Sequence, residues 1–335
     1  MADSSLSFGD YSLEGETVLA AVRQAAEVCR RVQQSLAGAK QDKADKSPVT
    51  IADYASQAIL CQRLGDAFPG DPIIAEEDAK GLRSGVDAAF LDRIVAELAA
   101  IGVEASGETV CDWIDRGNAS GYADRFWTFD PIDGTKGFLR GDQYAISAAL
   151  VVGGVIVLGA VGCPNLALPH LGFNEPGVIT VATRGQGAFA TDFAQTRVVP
   201  ISVSDVTDVK NVRLCESVES GHSAHGVSGE IVTSLGIAAD PVRIDSQAKY
   251  VAVATGAAEA YLRLPTRPGY REKIWDHAGG VIVVEEAGGA VTDIAGNPFD
   301  FRHGATLATN RGAVVSNGAV QDALVAEVRR HDFPD

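Results

Sequence analysis

Hydrophobic residues recur near the amino terminus at the three- and four-residue steps of an amphipathic helix. From Val18 to Leu36 this spacing predicts a helix over 16–36 with one buried face. The same period predicts a second helix from about residue 50, after a Ser-Pro turn, and a third over 87–100. The amino-terminal part of the chain is therefore predicted to contain three helices.

A long stretch without Asp, Glu, Lys or Arg follows, between Asp142 and Glu175. We interpret its first half as a β-hairpin, because the pair Gly153-Gly154 permits the positive φ angles of a two-residue turn and is flanked by β-branched residues. A membrane-spanning helix needs about 20 apolar residues without such breaks, and Pro164 interrupts the stretch again.

Short hydrophobic runs elsewhere predict further strands. Up to about residue 195 the strands occur mainly as hairpins, and after that point strands and helices alternate, which is typical of an α/β unit. We therefore predict an α/β protein with an α+β lobe over 1–195 and an α/β lobe over 196–335. The strands are predicted over 73–75, 126–129, 178–182, 187–191, 213–215, 242–244, 260–264, 290–292 and 306–309, and the later helices over 225–235, 247–255, 276–287 and 317–330.

The charge balance excludes several classes of protein. The 335 residues contain 44 acidic and 28 basic side chains, giving a formal net charge of -16. A protein that binds a nucleic-acid backbone places many cations against phosphate, and no basic block is present here. With 46% hydrophobic residues the chain is typical of a globular protein, and most of its acids are expected on a solvated surface.

The five cysteines lie far apart and include no C-x-x-C pair, so neither a zinc ribbon nor a disulfide framework is indicated. Cys163, beside the predicted hairpin, has no partner at a spacing that indicates redox chemistry. The first residues lack both the basic and the apolar segment of a secretory signal. We therefore expect a cytoplasmic protein and leave open an organellar location after removal of a leader.

The densest group of candidate site residues is Asp130-Pro-Ile-Asp133-Gly-Thr135, placed where a strand ends. A turn with a rigid proline and a permissive glycine can direct both carboxylates into one cavity. Two such anions repel each other, and a divalent cation that prefers oxygen ligands, such as Mg²⁺, removes this repulsion. The alternative is an ordinary turn with solvated acids, since Asp, Pro and Gly are common turn residues.

Three further acids lie at the ends of predicted elements. Asp53 and Asp276 occur in the first turns of helices, and Glu76 follows a buried strand. Taken singly, the two aspartates are explained by favourable interaction with a helix dipole and Glu76 by surface exposure. Trp127 and Trp275 flank these acids, and we expect both rings to pack in the core.

Taken together, these segments resemble the inositol monophosphatase superfamily of Mg²⁺-dependent, lithium-sensitive phosphatases. The resemblance lies in Ser47-Pro-Val-Thr-Ile-Ala-Asp53, in Ala75-Glu-Glu77, in Asp130 to Thr135 and in Trp275-Asp-His-Ala-Gly279, which occur in the family's order. It implies a layered αβαβα sandwich with a metal site between two lobes.

Longer segments are similar to the 3′(2′),5′-bisphosphate nucleotidase branch of this superfamily, and the similarity covers residues 15–330. The segments are 126–146, 242–250 and 270–277, and Lys136-Gly-Phe138 is characteristic of the branch. The resemblance implies hydrolysis of the 3′-phosphate of 3′-phosphoadenosine 5′-phosphate to AMP and phosphate, and activity on the 5′-phosphosulfate analogue.

The resemblance also assigns roles to individual residues. It implies two or three Mg²⁺ ions, a water-activating pair formed by Asp53 and Thr135, and a small bisphosphorylated nucleotide as the bound partner. The implied metal ligands are Glu76, Asp130, the carbonyl of Ile132, Asp133 and Asp276, and the implied nucleotide contacts are Thr135, His222, Ser246, Lys249, Arg263 and Asp276.

Two other functions stay open at this point. An inositol polyphosphate 1-phosphatase would share the metal ligands and differ in the outer substrate loops. A non-catalytic nucleotide sensor would be expected to have lost one of the five acids or Thr135, and all six are present. We expect no membrane association and a monomeric protein.

Overall fold

The computed structural model describes residues 6–36, 47–85, 88–218 and 225–334 and arranges them in alternating layers of helices and sheets. The helices are α1 (Ser12–Leu36), α2 (Ser47–Ala67), α3 (Lys80–Arg83), α4 (Ala88–Ala99), α5 (Gly107–Asp115), α6 (Thr135–Arg140), α7 (His225–Leu235), α8 (Ala248–Ala254), α9 (Ala278–Glu286) and α10 (Gln321–Val328). The strands are β1 (Ile73–Ala75), β2 (Arg125–Asp133), β3 (Ala145–Val152), β4 (Val155–Cys163), β5 (Val178–Thr183), β6 (Gly187–Asp192), β7 (Val198–Ile201), β8 (Leu214–Glu216), β9 (Val242–Arg243), β10 (Ala260–Arg263), β11 (Ala290–Thr292) and β12 (Ala313–Ser316).

The first sheet contains β1 to β7 in chain order. β1 pairs with β2 in parallel, and every later pair is antiparallel. The hairpin predicted around Gly153-Gly154 is confirmed, because β3 and β4 meet there and both glycines have positive φ. The alanine- and valine-rich strands of this sheet are buried on both faces, which explains their lack of polar alternation.

The second sheet has the order β11-β12-β10-β8-β9. β8 pairs in parallel with β9 and β10, whereas β12 is antiparallel to both of its neighbours. Parallel strands need crossover connections, and α7 and α8 supply them here.

The sheets and helices stack as a layered sandwich. α1 and α2 pack on one face of the first sheet, α8 and α9 lie between the two sheets, and α10 covers the outer face of the second sheet beside α7. One apolar cluster joins strands of both sheets to α8 and α9, so the lobes share a core. The predicted α/β class and the αβαβα layering are confirmed.

Helix α9 lies unusually close to the first sheet because two glycines face each other. A Cβ placed on Gly159 of β4 would lie 2.5 Å from Ile282 and 3.2 Å from the Cα of Gly279. A Cβ on Gly279 would meet the Ser147 hydroxyl at 2.2 Å. This close approach fixes the start of α9, and therefore Asp276 just before it, against the centre of the sheet.

Several predicted boundaries were wrong. The second helix begins at Ser47, three residues earlier than expected, because proline is well tolerated in the first turn of a helix. No strand forms over 306–309, where Thr306 makes only an isolated bridge to Lys273, and the neighbouring strand is β12 instead. The short helices α5 and α6 were not predicted.

The first sheet ends at Ile201 and the second begins at Leu214, while the division near residue 195 stays a prediction.

Among the helices in the described parts of the chain, none combines the length and the hydropathy that crossing a membrane requires.

Gly159→Ala should lower the free energy of unfolding by about 1–3 kcal/mol, because the added methyl group overpacks the contact between β4 and α9. Denaturant unfolding of the purified protein measures this change. Gly70→Ala is the matched control, since a Cβ there meets no atom within 4 Å. Equal stability of the two variants would contradict the close-packing interpretation.

Candidate metal and nucleotide site

A cavity of about 380 Å³ opens beside the carboxyl end of β2 and contains most of the residues predicted for the site. Asp53 is buried outside its lining, and His222 lies outside the described residues. The predicted residues that line the cavity are Glu76, Asp130, Ile132, Asp133, Thr135, Ser246, Lys249, Arg263 and Asp276.

Strand pairing places Glu76 beside Asp130. In the parallel register of β1 and β2, Ala75 lies opposite Phe129, so the next residue of each strand is an acid at the same edge of the sheet. The two carboxyl groups lie within hydrogen-bonding reach of each other. A short strand and its parallel neighbour thus bring together acids that are far apart in sequence.

A one-residue bulge in β2 turns Asp133 towards the same side as Asp130. On β3 the partners of these two aspartates are Ser147 and Ala145, which are two residues apart and share a face. Residues three apart in a regular strand would point to opposite faces, so the extra residue in β2 restores the alignment. The Asp130 carboxylate accepts a hydrogen bond from the Ile132 N–H at 3.0 Å, which stabilises the bulge.

Helix α2 supports the site from behind through three polar residues on one face. The Ser56 hydroxyl donates to the Pro131 carbonyl at 2.9 Å, and the Gln57 amide both donates to the Glu77 carbonyl and accepts from the Glu77 N–H. Asp53 lies one turn earlier, buried and facing Glu76 and Glu77. Ser56 and Gln57 were not predicted, although their i+3 and i+4 spacing from Asp53 was a usable signal.

The carboxylates of this cluster destabilise one another when no cation is bound. Burial raises the pKa of Asp130 well above its usual value, and repulsion from Glu76 and Asp133 raises it further. Burial likewise raises the pKa of Asp53, with added repulsion from Glu77. For Asp133 the same burial effect is opposed by the nearby charges of Lys249 and Arg263.

The donor set fits hard divalent cations. It consists of carboxylate and carbonyl oxygens, which Mg²⁺ prefers, and the crowded negative charges need a positive counterpart. Within the described chain, no three of the carboxylates of Glu76, Asp130, Asp133 and Asp276 bring oxygens within 4.8 Å of one another. The oxygens are therefore spread over more space than a single ion occupies.

A second group near the cavity is compact enough to ligate a cation and consists of Glu272, Asp276 and His277. The guanidinium of Arg263 already lies against it. Nη2 of Arg263 lies 2.8 Å from both the Glu272 and the Asp276 carboxylates. His277 accepts or donates through Nδ1 to the Tyr250 hydroxyl at 2.6 Å and faces Glu272 through Nε2. The guanidinium explains why the pKa of Glu272 is lowered to about 2 despite burial. Glu272 was not predicted from the sequence.

The cationic side of the cavity is built from β10, the first turn of α8 and the residues just before that helix. The Lys249 ammonium lies 5.0 Å from the centre of the Tyr261 ring and 3.4 Å from the Ser217 hydroxyl, and burial lowers its pKa. Ser246 adopts a left-handed backbone conformation with φ of +66° and packs against Gly134, where a Cβ would lie 2.9 Å from the serine Cβ. Strained backbone at a non-glycine residue is typical of functional sites.

Thr135 is exposed to the cavity as the first residue of α6. In the described part of the chain no hydrogen bond joins its hydroxyl to Asp53, so their pairing stays a prediction. Trp127 and Trp275 are buried in the apolar core, as expected. All five cysteines are buried and burial raises the pKa of Cys163, so these thiols are poorly suited to redox chemistry.

Comparison with known proteins identifies the family. A family model described as the inositol monophosphatase family matches residues 13–332. The chain belongs to the inositol monophosphatase family. The family is metal-dependent, in agreement with the oxygen-rich cavity.

Relatives within the inositol monophosphatase family extend over almost the whole chain. The chain is 42% identical to the 3′(2′),5′-bisphosphate nucleotidase of Schizosaccharomyces pombe, over 94% of both sequences. It is 40% identical to the 3′(2′),5′-bisphosphate nucleotidase of Oryza sativa, over 95% of this chain and 94% of the relative. The inositol monophosphatase of Anabaena (Nostoc) has the same fold, with a TM-score of 0.62 at 20% identity over 97% of this chain and 98% of that one.

Asp130→Asn should raise the melting temperature of the metal-free protein by about 2 °C or more near neutral pH. The pKa of Asp130 is higher in the folded protein than in the unfolded chain, so the fold loses stability as pH rises towards neutrality and the charge forms. Asparagine removes this charge and can still accept the Ile132 hydrogen bond. Thermal unfolding after treatment with EDTA measures the effect.

In the same thermal unfolding experiment, added MgCl₂ should raise the melting temperature of wild type more than that of Asp130→Asn. Glu104→Gln is the control, because Glu104 is an exposed acid that does not line the cavity. A lower melting temperature for metal-free Asp130→Asn than for wild type would contradict the repulsion argument.

Proposed function

We propose that this protein is a Mg²⁺-dependent 3′(2′),5′-bisphosphate nucleotidase. It removes the 3′-phosphate of 3′-phosphoadenosine 5′-phosphate (PAP), giving AMP and phosphate, and it also acts on the 5′-phosphosulfate analogue. The observation that carries the proposal is a single cavity lined by both the acids Glu76, Asp130 and Asp133 and the cations Lys249 and Arg263. A substrate with two phosphates needs both, and the names of the related nucleotidases point to this substrate.

The residues proposed to hold Mg²⁺ are Glu76, Asp130, the Ile132 carbonyl, Asp133 and Asp276. We infer two or three ions, because the carboxylate oxygens are spread too widely for one ion to use three of them. When bound, Mg²⁺ supplies compensating charge for the carboxylates and Lewis acidity at the transferred phosphoryl group.

The protein side chains position and deprotonate the attacking water. Thr135 orients the water from the start of α6, and Asp53 takes up its proton as general base. The water oxygen forms a bond to the 3′-phosphorus in line with the ribose 3′-oxygen, and the bond between phosphorus and this oxygen breaks. The ribose oxygen leaves as a hydroxyl after taking a proton from solvent, and Asp53 returns its proton to solvent, so one water is consumed for each phosphate released.

Lys249 and Arg263 receive the 5′-phosphate, with Ser246 and His222 as further nucleotide contacts. Lys249 is the better available charge, since its described neighbours include one hydroxyl and one aromatic ring, whereas Arg263 already shares its guanidinium between Glu272 and Asp276. Arg263 therefore also holds Asp276 in place. Lithium sensitivity, a monomeric state and a cytoplasmic location remain predictions.

Phosphate release with Mg²⁺ from PAP, inositol 1,4-bisphosphate and inositol 1-phosphate, measured side by side, tests the substrate. We expect a strong preference for PAP, because only the nucleotide brings a second phosphate to Lys249 across a ribose. Preference for either inositol compound would overturn the nucleotide assignment and leave the metal site intact. No release from any of them would favour a non-catalytic binding protein.

Asp133→Asn keeps the shape of the side chain and removes its charge, so turnover of PAP should fall to below about a tenth of wild type at saturating Mg²⁺. The Mg²⁺ concentration for half-maximal activity should rise in the same titration. Glu104→Gln again serves as the charge-matched control outside the cavity. Activity above a tenth of wild type would remove Asp133 from the proposed ligands.

Lys249→Met should raise the KM for PAP by about tenfold or more, because a charge-assisted contact to the 5′-phosphate contributes roughly 1.5–3 kcal/mol. The KM for adenosine 3′-monophosphate, which lacks that phosphate, should change much less. Lys210→Met, at an exposed lysine of the same lobe, is the control. Equal changes in KM for both nucleotides would show that Lys249 does not bind the 5′-phosphate.

A further inference from the structure

Gln247 lies between Ser246 and α8 and is 1% exposed, with its amide surrounded by three separate segments. Its Nε2 donates to the Trp275 carbonyl at 2.9 Å. Its Oε1 accepts from the Ser147 hydroxyl at 2.9 Å and from the Gly280 N–H at 3.2 Å. The amide thus links β3, the turn that carries Asp276, and the first turn of α9.

The main chain of the same residue contacts the metal site directly. The Gln247 N–H donates to Oδ2 of Asp133 at 2.5 Å. Asp133 belongs to the first sheet, and Trp275 precedes Asp276 in the other lobe. Gln247 therefore connects two carboxylates that come from different lobes. Its backbone contacts Asp133, and its side chain contacts the residue before Asp276.

We propose that Gln247 is a positioning residue that sets the separation of Asp133 and Asp276 for metal binding. This inference rests on the proposed phosphatase function and adds a residue to it. The amide is suited to this role, because an amide can donate and accept at once, and the Trp275 carbonyl needs a donor whereas the Gly280 N–H needs an acceptor. Neither a carboxylate nor an apolar side chain satisfies both.

Gln247 also lies among the residues proposed to contact the nucleotide. Ser246 and Lys249 flank Gln247 in the nucleotide-contacting segment, so the hydrogen bonds of Gln247 hold that segment in register with the metal ligands. Displacements of about 1 Å in such an arrangement can lower turnover by about a hundredfold. Loss of the amide is expected to act on the metal ligands more than on the nucleotide contacts.

A matched control exists at the start of α10, beside the second sheet. Gln321 is also buried, and its amide donates to the Thr292 hydroxyl and the Val314 carbonyl while accepting from the Ser316 hydroxyl. It has as many side-chain hydrogen bonds as Gln247, and it does not line the cavity. Replacing each glutamine by methionine removes three hydrogen bonds at nearly constant volume.

Calorimetric titration of each variant with MgCl₂ alone, together with kcat and KM for PAP, tests the proposal. Gln247→Met should weaken Mg²⁺ binding about fivefold or more and lower kcat about tenfold or more, with KM for PAP changed less than about threefold. Gln321→Met should lower the melting temperature comparably and leave Mg²⁺ binding and kcat unchanged. Unchanged Mg²⁺ binding and kcat in Gln247→Met would overturn the positioning role.

Ser147→Ala removes only one of the three bonds and keeps the test decisive if Gln247→Met does not fold. It should shift Mg²⁺ affinity in the same direction by about twofold, and unchanged affinity would contradict the proposal. Wild-type protein separates the two hypotheses. If it binds Mg²⁺ but releases no phosphate from PAP, the proposed function fails, while the comparison of Mg²⁺ affinities still decides the role of Gln247.

Discussion

Mutual repulsion among buried carboxylates is the constraint on which the rest of the site depends. Asp130 is almost completely buried, and Glu76, Asp133 and Asp276 all act to raise its pKa. Such a cluster is unfavourable in a folded protein unless cations compensate it. The surrounding structure therefore has to hold these acids in place against their repulsion.

Hydrogen bonds hold the acidic segment on both sides. Behind it, Ser56 of α2 binds the Pro131 carbonyl, and the bulge in β2 is closed by the Asp130 carboxylate. In front, the Gln247 N–H binds Asp133, and Arg140 at the end of α6 forms an ion pair with Asp245. These contacts join both lobes, which explains why the proposed metal ligands and most of the proposed nucleotide contacts line one cavity although they lie far apart in the sequence.

Two cationic residues of the cavity, Arg263 and Lys249, have different neighbours. Arg263 is shared by two carboxylates, one of them a proposed metal ligand, while the Lys249 ammonium lies beside an aromatic ring and a hydroxyl. The net charge of -16 is unfavourable for binding a nucleic-acid backbone, yet it is compatible with a small phosphorylated nucleotide. Lys249, Arg263 and any bound metal ions would oppose the negative potential within the cavity, and solvated acids elsewhere are screened from it.

Sequence alone determined the elements whose signals are local: the long helix α1, the Gly-Gly hairpin and the strand before Glu76 follow from residue periodicity and turn chemistry. Family resemblance identified the acids of the site. Tertiary structure alone decided that a bulge aligns Asp130 with Asp133, that Glu272 holds Arg263, and that Gln247 connects the lobes. The reason is physical: helix and turn signals act between neighbours in the chain, whereas these contacts join residues that only the packing of two sheets brings together.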